Sequence, residues 1–161
     1  MEFSVLEAIR SANGEYQYDT KIFYISLDDW ANQAHTFNCI SNNWAITPLK
    51  RGNFGYDNLI VSLGYTLTNC KDFTNTVENI ETISDLIHKG WTINYMFWRD
   101  NSPWENTDYK YYKPFPPLGD ERRNNCALID FQDLPQDEKD KDIILAKFLI
   151  GKINEIIEFI V

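Results

Sequence analysis

Cysteine, glycine, methionine and histidine are all scarce in this chain, at 3, 7, 2 and 2 residues of 161. Cys39, Cys70 and Cys126 are odd in number and far apart, which makes a poor disulfide framework. Reduced thiols and a cytoplasmic setting are therefore expected. There is no Cys-x-x-Cys and no His-Glu-x-x-His. His35 and Cys39, four apart, are the closest approach to a metal pair, with Cys70, His88 and Cys126 available only from elsewhere in the chain. No metal and no cofactor are expected on that basis. Asn-x-Ser/Thr sequons are absent. So are long apolar runs: the tract from Ile143 to Ile150 is interrupted by Lys147 and falls far short of the ~20 residues a bilayer demands. Met1 to Glu7 offers neither a cationic n-region nor an apolar core for a signal peptide. Neither a membrane span nor a leader is expected. Basic residues are also short, 15 against 24 acidic, for a net charge of −9. Long nucleic acids, which are held by Lys and Arg neutralising phosphates, are poor partners for such a chain.

What the chain has in quantity is rings: Phe 10, Tyr 9 and Trp 5, or 15% of its residues. A disordered chain is poor in aromatics, so a packed core is expected. The length suits one domain spanning 1–161. Residues 1–75 carry 8 acids and 5 bases and residues 76–161 carry 16 and 10, so the acidity is spread along the chain.

The fold class expected is α+β and mainly helical, with small β elements. Phe3, Leu6, Ile9 and Arg10 suggest a short helix that Asn13-Gly14 would end. Tyr16 to Ile25 leans towards β structure. Asp28-Asp29 form the acidic first turn of a helix carrying Trp30, Ala34 and Phe37. Between Ile46 and Leu67, three glycines among apolar residues leave two readings open, a strand or a short buried helix after a turn. Gly52-Asn53-Phe54-Gly55 reads as a turn, since it lacks the Gly-Lys-Ser/Thr of a P-loop.

The second half is more regular. Val77, Ile80, Ile83, Ile87, Trp91, Tyr95 and Trp98 recur at spacings of three and four, which predicts a long amphipathic helix. Asn75 and Glu78 would form its capping box, and Gly90 would bend or end it. Ser102 to Asn125 reads as a Pro-rich, ring-rich arm packed on the rest. A final helix starts near Pro135, with its apolar stripe on Leu145, Phe148, Leu149, Ile153, Ile156 and Ile160. The acids from Asp137 to Asp142 read as its solvated start.

Two blocks carry a family resemblance. Ile83-Ser84-Asp85-Leu86-Ile87-His88-Lys89-Gly90-Trp91 resembles a helix of the ryanodine-receptor (RyR) domain with an apolar–apolar–His–x–x–Trp step. Cys126-Ala127-Leu128-Ile129-Asp130-Phe131-Gln132-Asp133-Leu134-Pro135, with the polar run to Asp142, is similar to that family's aromatic, Leu-Pro and polar-helix segment. Asn124-Asn125 stand where the family often has His-Pro. The resemblance covers about residues 83–147, within a unit of residues 76–161, and leaves 1–75 as a mixed α/β elaboration. It implies a compact, mainly helical unit. Small free-standing relatives look like sensors or binders of nucleotide-derived signals in host–virus conflict, with no catalytic residue.

The residues themselves fit such a ligand. His88 has two readings, a structural histidine bonded to a loop carbonyl and a ligand contact. Arg122 and Arg123 offer planar forks for phosphate, or else pair with Asp120, Glu121 or Asp130. Together with Arg99, they stand in sequence near Trp98, Trp104, Tyr111 and Tyr112. The expected ligand-binding set is His88, Trp91, Tyr95, Trp98, Arg99, Trp104, Tyr112, Arg122 and Arg123. The function expected is non-enzymatic binding of a small nucleotide-derived ligand, to sense or sequester it. One alternative is an acidic protein–protein interaction module, whose partner would be a basic protein surface. Another is an enzyme that degrades such a nucleotide, for which a Cys–His nucleophile pair would have to form through tertiary proximity.

Overall fold

The computed structural model describes residues 13–18, 21–46, 54–101 and 125–160, with side chains over 24–46, 56–97 and 125–156. The expected helix over Phe3 to Arg10 and the arm from Ser102 lie outside the described residues. Asn13 and Gly14, expected to stop that helix, instead open strand β1 (Asn13–Tyr18), which pairs antiparallel with β2 (Lys21–Ser26) in a two-stranded sheet. The register runs from Asn13 opposite Ser26 to Tyr18 opposite Lys21. Everything else described is helical or connecting chain, so the protein is mainly helical with one small β element.

Chain direction passes straight from β2 into α1 (Leu27–Ser41). Ser26 caps it, its hydroxyl accepting from the Asp29 amide at 3.3 Å, while Asp28 and Asp29 complement the positive end of the helix as expected. Helix α2 (Phe54–Asn69) settles the ambiguous stretch. It is a helix of 16 residues, with Gly55 and Gly64 inside it. The apolar run had no clear period because the helix is buried nearly all round, with Ile60, Val61, Leu63 and Leu67 fully enclosed.

The long helix α3 (Val77–Asn101) and the final helix α4 (Gln136–Ile160) each run 25 residues. The cap of α3 is Thr76 rather than Asn75: its hydroxyl accepts from the Asn79 amide at 3.1 Å, and the Asn79 side chain returns a bond to the Thr74 carbonyl. Gly90 does not interrupt α3. A Cβ there would stand 2.9 Å from the Ser62 Cα of α2 and 3.2 Å from the Tyr65 Cβ, so glycine lets the two helix backbones approach. A propensity cost of about 1 kcal/mol is offset by that close packing.

One core joins all these elements. Ile25 and Leu27 from the hairpin exit, Trp30 and Ala34 of α1, Ile60 and Leu63 of α2, Ile83 and Ile87 of α3 and Leu149 and Ile153 of α4 belong to a single buried cluster. Residues before and after position 75 therefore share it. Polar ties sit at its margins: the Tyr56 hydroxyl donates to the Asp28 carboxylate, Lys152 reaches Gln33 at 2.8 Å, and Asn154 donates to the Phe73 carbonyl at 2.9 Å. Of the α4 stripe, Phe148, Leu149 and Ile153 are buried; the Ile160 side chain lies outside the described residues.

Two glycines then give opposite expectations in a urea titration. Gly90→Ala should destabilise the fold by about 1–2 kcal/mol, because overpacking against backbone outweighs the gain in helix propensity. At Gly151, where an added Cβ meets nothing within 4 Å, alanine should stabilise it by about 0.5–1 kcal/mol.

Candidate functional site

With α3 pressed onto α2 at Gly90 and its Ile83 and Ile87 in the main core, His88 and Trp91 of the stripe Ser84, His88, Trp91 and Tyr95 meet α4 and residues 125–135. That connecting segment has a short helical turn at 125–127 and a 3-10 turn, Phe131–Asp133, before it enters α4. Cys126, Phe131 and Leu134 are buried in a small cluster of their own, against which Trp91 and Ile143 pack. Two polar contacts supplement it. Gln132 donates to Glu81 at 3.1 Å, and Lys139 lies 5.7 Å from the centre of the Phe131 ring.

His88 is 5% exposed and joins three elements. Its Nε2 lies 2.8 Å from the Ile129 carbonyl oxygen. A carbonyl only accepts, so Nε2 carries a hydrogen. Its Nδ1 faces Asp142 of α4, 3.9 Å from Oδ2, beyond hydrogen-bond distance. On α3 the imidazole is stacked near-parallel with the Trp91 ring, centroids 6.0 Å apart at 12°. Trp91 in turn stacks on Tyr95 at 5.3 Å and 4°. Tyr95 is fully buried, whereas Trp91 is half-buried. The three form a column of rings in which Tyr95 and His88 support and Trp91 is partly accessible.

Asp142 is the group missed by sequence reasoning. Asp137 and Asp140 are exposed, as a solvated helix start implies, but Asp142 is turned inward, its side chain 13% exposed. Burial, helped by the negative charge of Glu138 and opposed by Lys141, pushes its carboxyl up to about 8. A signal was present: Asp142 precedes Ala146 by four residues and Leu149 by seven, on the apolar face of α4.

The remaining expected site residues distribute as follows. Trp98 and Arg99 lie on the last turns of α3, their side chains outside the described residues, and Trp104, Tyr112, Arg122 and Arg123 lie outside them altogether. His35 and Cys39 meet on α1, Sγ 3.6 Å from Nε2. Cys70 sits in the main core, where burial raises its thiol, and Cys126 sits beside Trp91. Among the described residues no group of three or more His, Cys, Asp or Glu could hold a metal ion, and no helix is long and apolar enough to cross a membrane. Cys126 and His88 both border Trp91, but the Nε2 of His88 is committed to Ile129. No family model, curated protein or solved structure matches the chain.

What this arrangement offers is a part-exposed indole held between an imidazole and a phenol ring, with a buried carboxyl on the far side of the imidazole. Losing the histidine donor should be felt in stability. His88→Leu should cost about 1–2 kcal/mol by leaving the Ile129 carbonyl without its partner, and His88→Gln, which keeps an N–H donor, should cost less; chemical denaturation at pH 7 measures both.

Proposed function

We propose that the protein binds a small nucleotide-derived ligand, as a sensor or sequestering protein of RyR-like type, and that the ligand meets the accessible edge of Trp91. The observation that carries this reading is the His88–Trp91–Tyr95 column. Contact with a pre-ordered ring spares the ordering cost that would otherwise reduce affinity. Trp98 and Arg99 continue the same helix beyond Tyr95, and Arg99, Arg122 and Arg123 are the cations proposed to take phosphates.

The RyR-like assignment has support from packing. The two sequence blocks that carry the resemblance lie against one another: His88 of the first bonds Ile129 of the second, and Trp91 packs on Cys126, Phe131 and Leu134. Binding rather than catalysis fits a histidine whose Nε2 hydrogen is already used within the fold.

A second reading is favoured by one feature. Asp130, Asp133, Asp137 and Asp140 are all exposed around the start of α4, next to exposed Leu128. A basic protein surface would complement that face, with strongly salt-dependent association.

Titration calorimetry and thermal melting against a panel of cyclic and ADP-ribose-type nucleotides distinguish the two. The ligand reading expects a saturable heat and a raised melting temperature with at least one of them, both lost in Trp91→Ala. Flat heats and unchanged melting across the panel sink it.

A further inference from the structure

We infer that Asp142 is a one-proton latch behind His88: while its carboxyl keeps its proton, residues 125–134 stay held against α3 and α4 through His88, and loss of that proton loosens the segment. This stands apart from the ligand reading and needs no ligand.

The geometry places the pair at the centre of the segment's attachment. His88 reaches Ile129 with Nε2 and faces Asp142 with Nδ1, so one imidazole spans the segment, α3 and α4. The proton in question is the one on the Asp142 carboxyl, which burial holds there. Removing the proton to solvent leaves a carboxylate whose side chain is only 13% exposed. The surrounding charges give it little relief. From α4 itself Glu138 opposes ionisation and Lys141 favours it. On α3, which carries His88, Asp85 is ion-paired with Lys89 at 3.0 Å, and the field of Asp130 from the connecting segment acts on Lys89. Ile143, next to Asp142, packs on the cluster of Cys126, Phe131 and Leu134, which is small and separate from the main core, so the cheapest way to hydrate such a carboxylate is to open that cluster.

The sign follows from proton binding. Closed, Asp142 titrates at about 8; exposed to water it would return towards its ordinary value of 3.8. Between those values the closed form holds more protons than the open form, so the closed form loses ground as pH rises. One proton of difference changes the opening constant by up to about tenfold per pH unit. The change levels off above pH 8, where both forms have lost the proton.

Native-state hydrogen exchange on the full chain tests this at amides bonded within the segment, Leu128, Asp133 and Leu134. After correction for hydroxide catalysis, their opening constants should rise towards tenfold per unit between pH 6 and 8 and then flatten. In Asp142→Asn, which is neutral throughout, they should be nearly independent of pH. A carboxyl-carbon NMR titration of the unaltered protein provides the second measurement and should give Asp142 a midpoint near 8. The inference is overturned if Asp142→Asn keeps the wild-type slope, if the carboxyl titrates in the ordinary range near 4, or if it titrates high while exchange in the segment stays flat.

Discussion

The close approach of α3 to α2 at Gly90 is the constraint from which the rest follows. With Ser62 backbone where a side chain would otherwise stand, the rotation of α3 about its axis is fixed. Ile83 and Ile87 are then committed to the main core, and a helix of 3.6 residues per turn must present Ser84, His88, Trp91 and Tyr95 to the neighbouring sector. Polar order on the contact side reinforces it, with Asn94 of α3 at 3.5 Å from Asn58 of α2. A rotation of α3 by one residue, about 100°, would carry His88 away from both Ile129 and Asp142.

Two packing regimes result. The main core joins the hairpin exit and helices α1, α2, α3 and α4, and its fully buried Leu and Ile side chains contribute on the order of 1.5–3 kcal/mol each. The Cys126–Phe131–Leu134 cluster is thinner and depends more on individual polar contacts. A small cluster joined by a histidine and a buried carboxyl is easier to open than the core behind it. The candidate site lies on that boundary: its rings are anchored in the rigid helix and its cover is the lighter segment.

Legibility in the sequence followed periodicity. The long helix from Val77 stood out because its apolar residues recur every three or four positions, and the final helix because Pro135 and flanking acids mark its start. Phe54–Asn69 was unreadable as helix or strand, since burial on all sides erases the period that separates them. Gly90 carried the wrong local message: propensity pointed to a break, and the tertiary requirement for close approach decided the matter. At the site, His88 was visible as a polar residue on an apolar flank, and its partner carbonyl was anticipated in kind but not by number. Asp142 was hidden by company. Lying in a run with Asp137 and Asp140, it looked solvated, and only its place on the face shared with Ala146 and Leu149 set it apart.

The central claim is that the ring column on α3 receives a ligand at Trp91. Its most direct test is the indole N–H resonance of Trp91, assigned with a Trp91→Phe variant, during titration with the cyclic and ADP-ribose-type nucleotides. A saturable shift of that resonance, with the Ile153 methyl in the distant main core unmoved, is the result the account expects. A Trp91 resonance that stays fixed through the whole panel, or that moves only with a general change across the core, would contradict it.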